Sequence, residues 1–460
     1  MSAPTQAPAL RSVEEVVETI LAAIPGPLPA EAVSPERALG RSLATAAVAR
    51  TDLPPWDNSA MDGYALRAID TSGATDASLI AFRVIGEVRA GEVSQVAVGP
   101  GTAMRIATGA PLPPGADAVV PVELTSVLDA DGRPAGPPGR DATGPLPAGV
   151  AVHAQVPVGG SVRARGSDLR AGDHVLAAGT AMTPAAVALA AGAGIDAVAV
   201  HRRPRVAVLA TGDEIRAAGQ ELGPAGIPDA NGPGLRALVA GAGAEPIDLG
   251  IARDRLDDVE SRLRRGVAEA DVVIVSGGVS VGPYDVVRSA FEAIGRVDLW
   301  RVAVQPGKPF AFGVAESLAP AGDGARAGGA LPPVLPAVLL FGLPGNPVST
   351  AVTFELFVRP ALRRLSGGPA AADSDDRGIL TEPVSKSHGR RAYIRVIVDR
   401  DPEGRVRRDD GGRLSLRLAG GQGSHVLSAL AAADALAIVP EEMDELPAGA
   451  EVGVHWLGRR

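Results

Sequence analysis

The 460-residue chain contains no cysteine, which removes disulfides, thiolate nucleophiles and Cys-ligated zinc or iron–sulfur sites from consideration. Aromatic residues make up only 3%, too few for the stacking platforms that hold single-stranded nucleic acid. Lysine is nearly absent: among 44 Lys and Arg, only Lys308 and Lys386 are lysines. A formal charge of −9 argues against a general polyanion binder, which needs clustered basic residues, but leaves room for a local anion pocket. No apolar run approaches the roughly 18 residues of a membrane span. The opening MSAPTQAPALRS has no charged n-region followed by an apolar h-region. A cytoplasmic protein with no membrane and no nucleic-acid partner is expected. The six His lie singly, without i, i+4 pairing, so with many Asp and Glu available, magnesium on oxygen ligands suits the chain better than zinc.

What is present is ordinary globular composition, 46% hydrophobic and 21% charged, at a length that calls for several domains of roughly 100 to 200 residues. Val13, Val16, Val17, Ile20, Leu21 and Ile24 keep helical spacing behind a Ser12-x-x-Glu15 capping box. Ser34 followed by Pro35 predicts a second short helix fading near Ala44. From about Asp52, short β-prone runs alternate with Gly and Pro turns, as in a small mostly-β domain. After RARGSDLRAGDHV the pattern becomes strand, loop, helix, repeated: RVAVLA, EPIDLG, DVVIVSGG, VDLWRVAV and AVLLFGLPG are the strands. That alternation predicts a parallel, doubly wound α/β sheet with ligands at the carboxyl ends of its strands. From about Gly378 the chain returns to short strands. Pro- and Gly-rich stretches near 129–149 and 315–336 read as loops without an assigned role.

The chemistry-bearing signals gather at strand ends. DVVIVSGGVSVGPYD runs from a buried strand into a turn where Gly277 and Gly278 allow backbone N–H groups to face a ligand. FGLPGNPVST repeats the device. Asp213 and Glu214, Asp254 and Asp285 follow three of the strands, and acids at several ends of one sheet converge in a way that suits magnesium held by carboxylates and ligand phosphates. Taken singly, each is also an ordinary helix N-cap residue. Lys308, between Gly307 and Pro309, suggests a compact cation where Arg otherwise serves. Gly192-x-Gly194-x-x-Ala197 and Gly232-x-Gly234-x-x-Ala237 imitate a dinucleotide fingerprint, but neither follows a strand.

Taken in order, WDNSAMDGYAL, RIATGAPLPPGADAVVPVE, RARGSDLRAGD, LATGDE, VSGGVSVGPYD, QPGKPFAFG and FGLPGNPVSTAVTFE resemble the molybdopterin molybdenumtransferase family, MoeA, which includes the E domain of gephyrin. The resemblance covers nearly the whole chain. It implies a multidomain α/β plus β protein: an N-terminal helix over 1–29, a linker domain from 30–50 and 170–201, an inserted β domain over 51–169, a MogA-like α/β domain over 202–366 and a C-terminal β-barrel over 367–460. It also implies a homodimer with a shared cleft, molybdopterin-adenylate and molybdate as substrates, and Mg2+ assisting loss of AMP. A MogA-type adenylyltransferase and downstream molybdoenzyme chaperones are the partners it implies.

Carried over by motif, the catalytic candidates are Asp62, Thr108, Asp168, Glu214, Asp254 and Asp285, with Glu214 and Asp285 as metal ligands. Gly277, Gly278, Ser280, Lys308, Pro344, Pro347 and Ser349 are the binding candidates of the α/β domain. Arg395 and Ser424 are those of the last domain, with Arg390 and Ser428 as rivals. Gln305 stands where some members carry a second lysine. A MogA-type adenylyltransferase and a gephyrin-like binding scaffold are the competing readings.

Overall fold

The computed structural model describes residues 10–139, 144–278, 286–316, 337–369 and 376–458. The chain divides into two compact units, one formed by Val33–Leu39 with Thr45–Val198 and the other by the flanking segments, chiefly Ala199 onward. The segments expected to form a linker domain are shared between them.

Helix α1, Val13–Ala22, begins as its sequence predicts: the Ser12 hydroxyl accepts from the Glu15 N–H and the Glu15 carboxylate accepts from the Ser12 N–H. Val13, Val16 and Ile20 turn its apolar stripe inward. The expected second helix shrinks to one 3-10 turn, Glu36–Ala38. Leu39 leaves helical geometry at ψ 127° and Gly40 takes φ 75°, which ends propagation before a costly nucleus is repaid.

The β unit is built on a six-stranded sheet of β1 (Gly63–Leu66), β2 (Ile80–Val88), β3 (Thr102–Ile106), β4 (Ala118–Pro121), β5 (Thr125–Val127) and β6 (Gly149–Val152). Their spatial order is β4-β1-β3-β2-β6-β5, antiparallel except where β2 meets β3. A short helix, α2 (Pro184–Gly192), follows later in the same unit, capped by the Thr183 hydroxyl.

The larger unit carries a second six-stranded sheet, with helices α3 (Asn231–Gly241), α4 (Leu256–Glu269) and α5 (Val286–Ile294) between its strands. In space β8 (Glu245–Ala252), β7 (Arg205–Thr211), β9 (Val272–Ser276) and β12 (Ala337–Leu343) run parallel. The sheet is nevertheless mixed. Strands β10 (Arg296–Arg301) and β11 (Pro309–Glu316) run antiparallel at one edge, because residues 302–308 between them are too few for a crossover. Alternate side chains feed two cores. Val206, Val208, Val272 and Ile274 meet α1, α3 and the helices after β12, while Ala207, Leu209, Val273 and Val275 meet α4 and α5. Truncating a fully buried residue such as Leu263 to Ala would cost about 2–5 kcal/mol.

The long helix expected from VSTAVTFELFVRPALRRL forms as α6 (Pro347–Thr353), a π segment (Phe354–Val358) and α7 (Arg359–Leu365). Pro360 lacks an N–H and crowds the preceding turn, and the widened π segment accommodates it. Beyond α7 a closed five-stranded barrel forms from β13 (Arg377–Leu380), β14 (Arg391–Val398), β15 (Leu414–Leu418), β16 (Ala435–Val439) and β17 (Glu451–Trp456), closing where β14 pairs with β16. Closure leaves its main five strands without a free edge. Among the described residues no helix is long and apolar enough to cross a membrane.

Candidate functional site

Strands β7, β9 and β12 end side by side, and their turns wall a cleft of about 650 Å³. Glycine is required there. A Cβ on Gly277, at φ 97°, would stand 2.8 Å from the Thr211 carbonyl oxygen, and one on Gly278 would stand 2.4 Å from a Val287 methyl carbon. The Gly277 N–H is already committed, donating to Leu343 O at 3.2 Å, so the expectation that both glycine amides face a ligand does not hold for Gly277. The β9 ladder to β12 continues one residue past the strand and consumes it.

The opposite wall is acidic. Glu214 and Asp254 line the cleft with Asp229, and the Asp254 N–H donates to Asp213 Oδ1 at 3.3 Å. Partial burial raises the Asp254 carboxyl above its ordinary value, and the nearby charges of Asp213 and Glu214 raise it further. Among the described residues no group of three or more His, Asp or Glu forms a metal cluster. A two-carboxylate wall is still how magnesium is commonly held when phosphates and water supply its other ligands. The mutual repulsion felt at Asp254 is what a cation would relieve.

On the other side of the turns, Pro344 and Pro347 line the cleft, as does His425 from the barrel. Ser424 joins the two parts: its carbonyl accepts from the Val348 N–H at 3.1 Å and its hydroxyl oxygen accepts from Asn346 Nδ2 at 3.0 Å. The Val348 N–H is one of the donors at the start of α6 that the helix itself leaves open. Ser349 is buried in the first turn of that helix. Arg395 is fully buried behind the same barrel loop, where Nη2 donates to Gly421 O at 2.9 Å and Gly423 O at 3.2 Å. Its Nε and Nη1 have no hydrogen-bond partner among the described residues.

Lys308 precedes the cleft-lining Pro309. Its ammonium is held below its ordinary pKa by desolvation and then by the charges of Arg390 and Arg301. Lys308, one of the sequence's two lysines, thus feels two other cations nearby. Gln305, where a second lysine was the family alternative, accepts from the Ser387 N–H at 2.9 Å.

In the β unit, Asp62 and Thr108 come together: Asp62 Oδ1 accepts from the Thr108 N–H at 2.7 Å and the Thr108 hydroxyl at 2.9 Å. Asp168 stands exposed on a separate loop, its N–H donating to Leu53 O at 3.0 Å. Ser280 and Asp285 lie outside the described residues. Asn231, whose amide reaches both turns of the cleft, is not among the residues the sequence motifs single out, since it stands beside a Gly-x-Gly pattern in which the glycines carry the motif. Its signal was position: a short amide at the start of a helix that follows an acid-bearing strand end.

Three family models cover nearly the whole chain: the MoeA N-terminal region (domain I and II) over 11–194, a probable molybdopterin binding domain over 207–364, and the MoeA C-terminal region (domain IV) over 377–457. A Mycobacterium tuberculosis protein named molybdopterin molybdenumtransferase 2 is 36% identical over 92% of this chain and 93% of its own length. The molybdopterin molybdenumtransferase of Haemophilus influenzae is 31% identical over 97% of this chain and 100% of its own. A crystal structure of a molybdopterin biosynthesis MoeA protein from Pyrococcus horikoshii superposes with a TM-score of 0.73 at 27% identity, covering 98% of this chain and 100% of that one. With the parallel sheet, the barrel and the cleft all in place, the chain belongs to the MoeA family.

Proposed function

We propose that the protein is a molybdopterin molybdenumtransferase, which places molybdenum from molybdate into adenylylated molybdopterin with release of AMP. The observation that carries this reading is the two-sided cleft at the ends of β7, β9 and β12: acids on one wall, Gly- and Pro-rich turns on the other. An anionic ligand entering it meets Glu214, Asp229 and Asp254, which calls for a cation between them and the phosphate. Glu214 and Asp254 would hold Mg2+ there, and the metal would supply neutralisation of phosphate charge.

The chain's own residues supply the rest. The turns at 276–278 and 344–347 orient the adenylylated pterin, and Lys308 with Arg301 and Arg390 holds a second anion, for which molybdate is the candidate. The molybdenum stays on the pterin's own sulfurs, so absence of cysteine is no obstacle. A homodimer, in which the Asp62–Thr108 pair of a second copy completes the cleft, belongs to the same proposal, as does a cytoplasmic location.

A MogA-type adenylyltransferase is not favoured, since matches on both sides of the α/β domain extend beyond what that activity needs. The test offers the protein two reactant sets: ATP with molybdopterin, and molybdopterin-adenylate with molybdate and magnesium. AMP release from the second set alone supports the proposal. Consumption of ATP in the first, with an inert second set, would overturn it.

A further inference from the structure

Asp229 and Ala230 lead into helix α3, whose first residues are Asn231 and Gly232. Asp229 Oδ1 accepts from the Gly232 N–H at 2.8 Å, and a Cβ at Gly232 would meet Asp229 Oδ2 at 2.3 Å. With that donor satisfied by Asp229, the Asn231 side chain is left free to reach across the cleft floor. Its Nδ2 lies 2.7 Å from Ser276 Oγ, at the end of β9, and 2.7 Å from Gly345 O, in the turn after β12. Ser276, having accepted from Asn231, directs its own proton to Pro344 O at 3.4 Å, and Thr350 Oγ1 donates to that same carbonyl at 2.5 Å. The turns also touch directly: a Cβ on Gly345 would lie 3.7 Å from Gly277 Cα.

We infer that Asn231 is a positioning residue that ties the turn after β9 to the turn after β12, so that the two act on the adenylylated pterin as one surface. The inference rests on the molybdenumtransferase reading of this cleft. A primary amide is the short neutral group that offers two donors from one nitrogen, which is what an acceptor hydroxyl and a carbonyl on different strands require. Aspartate has the same shape and offers lone pairs to both, and it adds negative charge to a wall that already carries three acids. Because Asn231 acts through Ser276 and Gly345, its loss should disturb orientation more than affinity. Misplacing a bound reactant by about 1 Å costs on the order of 100-fold in rate.

The test compares Asn231→Ala, Asn231→Asp, Ser276→Ala and the Asn231→Ala/Ser276→Ala double variant with wild type. Cofactor formation from molybdopterin-adenylate, binding of that compound, thermal stability and backbone amide exchange over 276–278 and 343–346 are measured. Asn231→Ala is expected to lower kcat roughly 10- to 100-fold while the Kd for molybdopterin-adenylate moves less than about 3-fold. Exchange at both turns should quicken together with global stability near wild type. The double variant should be no worse than Asn231→Ala within about 2-fold, since both changes break one connection. Asn231→Asp should fall at least as far as Asn231→Ala. Unchanged exchange at the turns overturns the inference, as does a loss confined to KM with additive single effects, the signature of a direct ligand contact. If wild type forms no cofactor, the functional reading fails, and the exchange data alone then decide whether Asn231 ties the turns.

Discussion

Arg395 offers a sharp test of how the barrel supports the cleft. The side chain is fully buried, and burial pulls its guanidinium below the ordinary value. Arg395→Met removes the charge and keeps an unbranched side chain. Lost are two hydrogen bonds from a charged donor, to Gly421 O and Gly423 O, together roughly 3–6 kcal/mol at about 1.5–3 each. Recovered is the desolvation penalty of a buried ion whose Nε and Nη1 have no partner among the described residues, itself several kcal/mol. Gly421 is exposed and Gly423 half-buried, so water can replace the guanidinium at their carbonyls. The opposing effects therefore leave stability within about 2 kcal/mol of wild type. The loop over 421–425, which carries Ser424 and the cleft-lining His425, should exchange faster. Cofactor formation should fall about 10-fold or more, in line with misplacement of groups at the site. Urea unfolding, amide exchange and turnover on the same variant decide the matter. A stability loss beyond about 4 kcal/mol, the cost of breaking a well-compensated buried pair, or an unaltered loop would refute the reasoning.

Glu214→Gln and Asp254→Asn each remove a negative charge with little change of volume, and magnesium-dependent AMP release should drop on the order of 100-fold; unchanged release at limiting magnesium would remove them from the metal site. The raised Asp254 pKa has a definite sign: in the free protein its contribution favours the fold at low pH and is lost as pH rises from the ordinary carboxylate range through the raised value. Apparent magnesium affinity should accordingly weaken as pH falls through that raised value, and a magnesium titration of Asp254→Asn should lack this limb. Lys308→Arg and Lys308→Ala should both weaken the molybdate dependence of cofactor formation with thermal stability near wild type, whereas a solvent-exposed turn lysine would make Lys308→Arg silent. Asp62→Ala mixed with Glu214→Ala under conditions where subunits exchange should recover part of the activity through hybrid dimers; no recovery would contradict a shared cleft.

Local sequence signals were legible where one segment decides its own structure. The Ser12–Glu15 capping box, the acids after β7 and β8, and the glycine turn after β9 stand where the pattern places them. Ser34 and Pro35 mark a helix start, and the reading to Ala44 runs past a stop that is local as well: Gly40 at φ 75° ends it after one turn. Signals that depend on partners far along the chain were not legible. The VDLWRVAV run reads as a neighbour within a parallel sheet, and only the fold shows that β11, antiparallel to both, lies between it and β12. Lys308 stands out by scarcity, but its company with Arg301 and Arg390 is a property of the fold. The same holds for Asn231, whose two acceptors lie 45 and 114 residues away.

Mature cofactor formed per AMP released, in a single turnover of molybdopterin-adenylate with magnesium and molybdate, tests the proposed activity most directly. Equal amounts of the two products, both lost when molybdate is withheld from cofactor formation or when Glu214 and Asp254 are replaced together, are predicted. AMP release without any molybdenum entering the pterin, at saturating molybdate, would contradict the proposal.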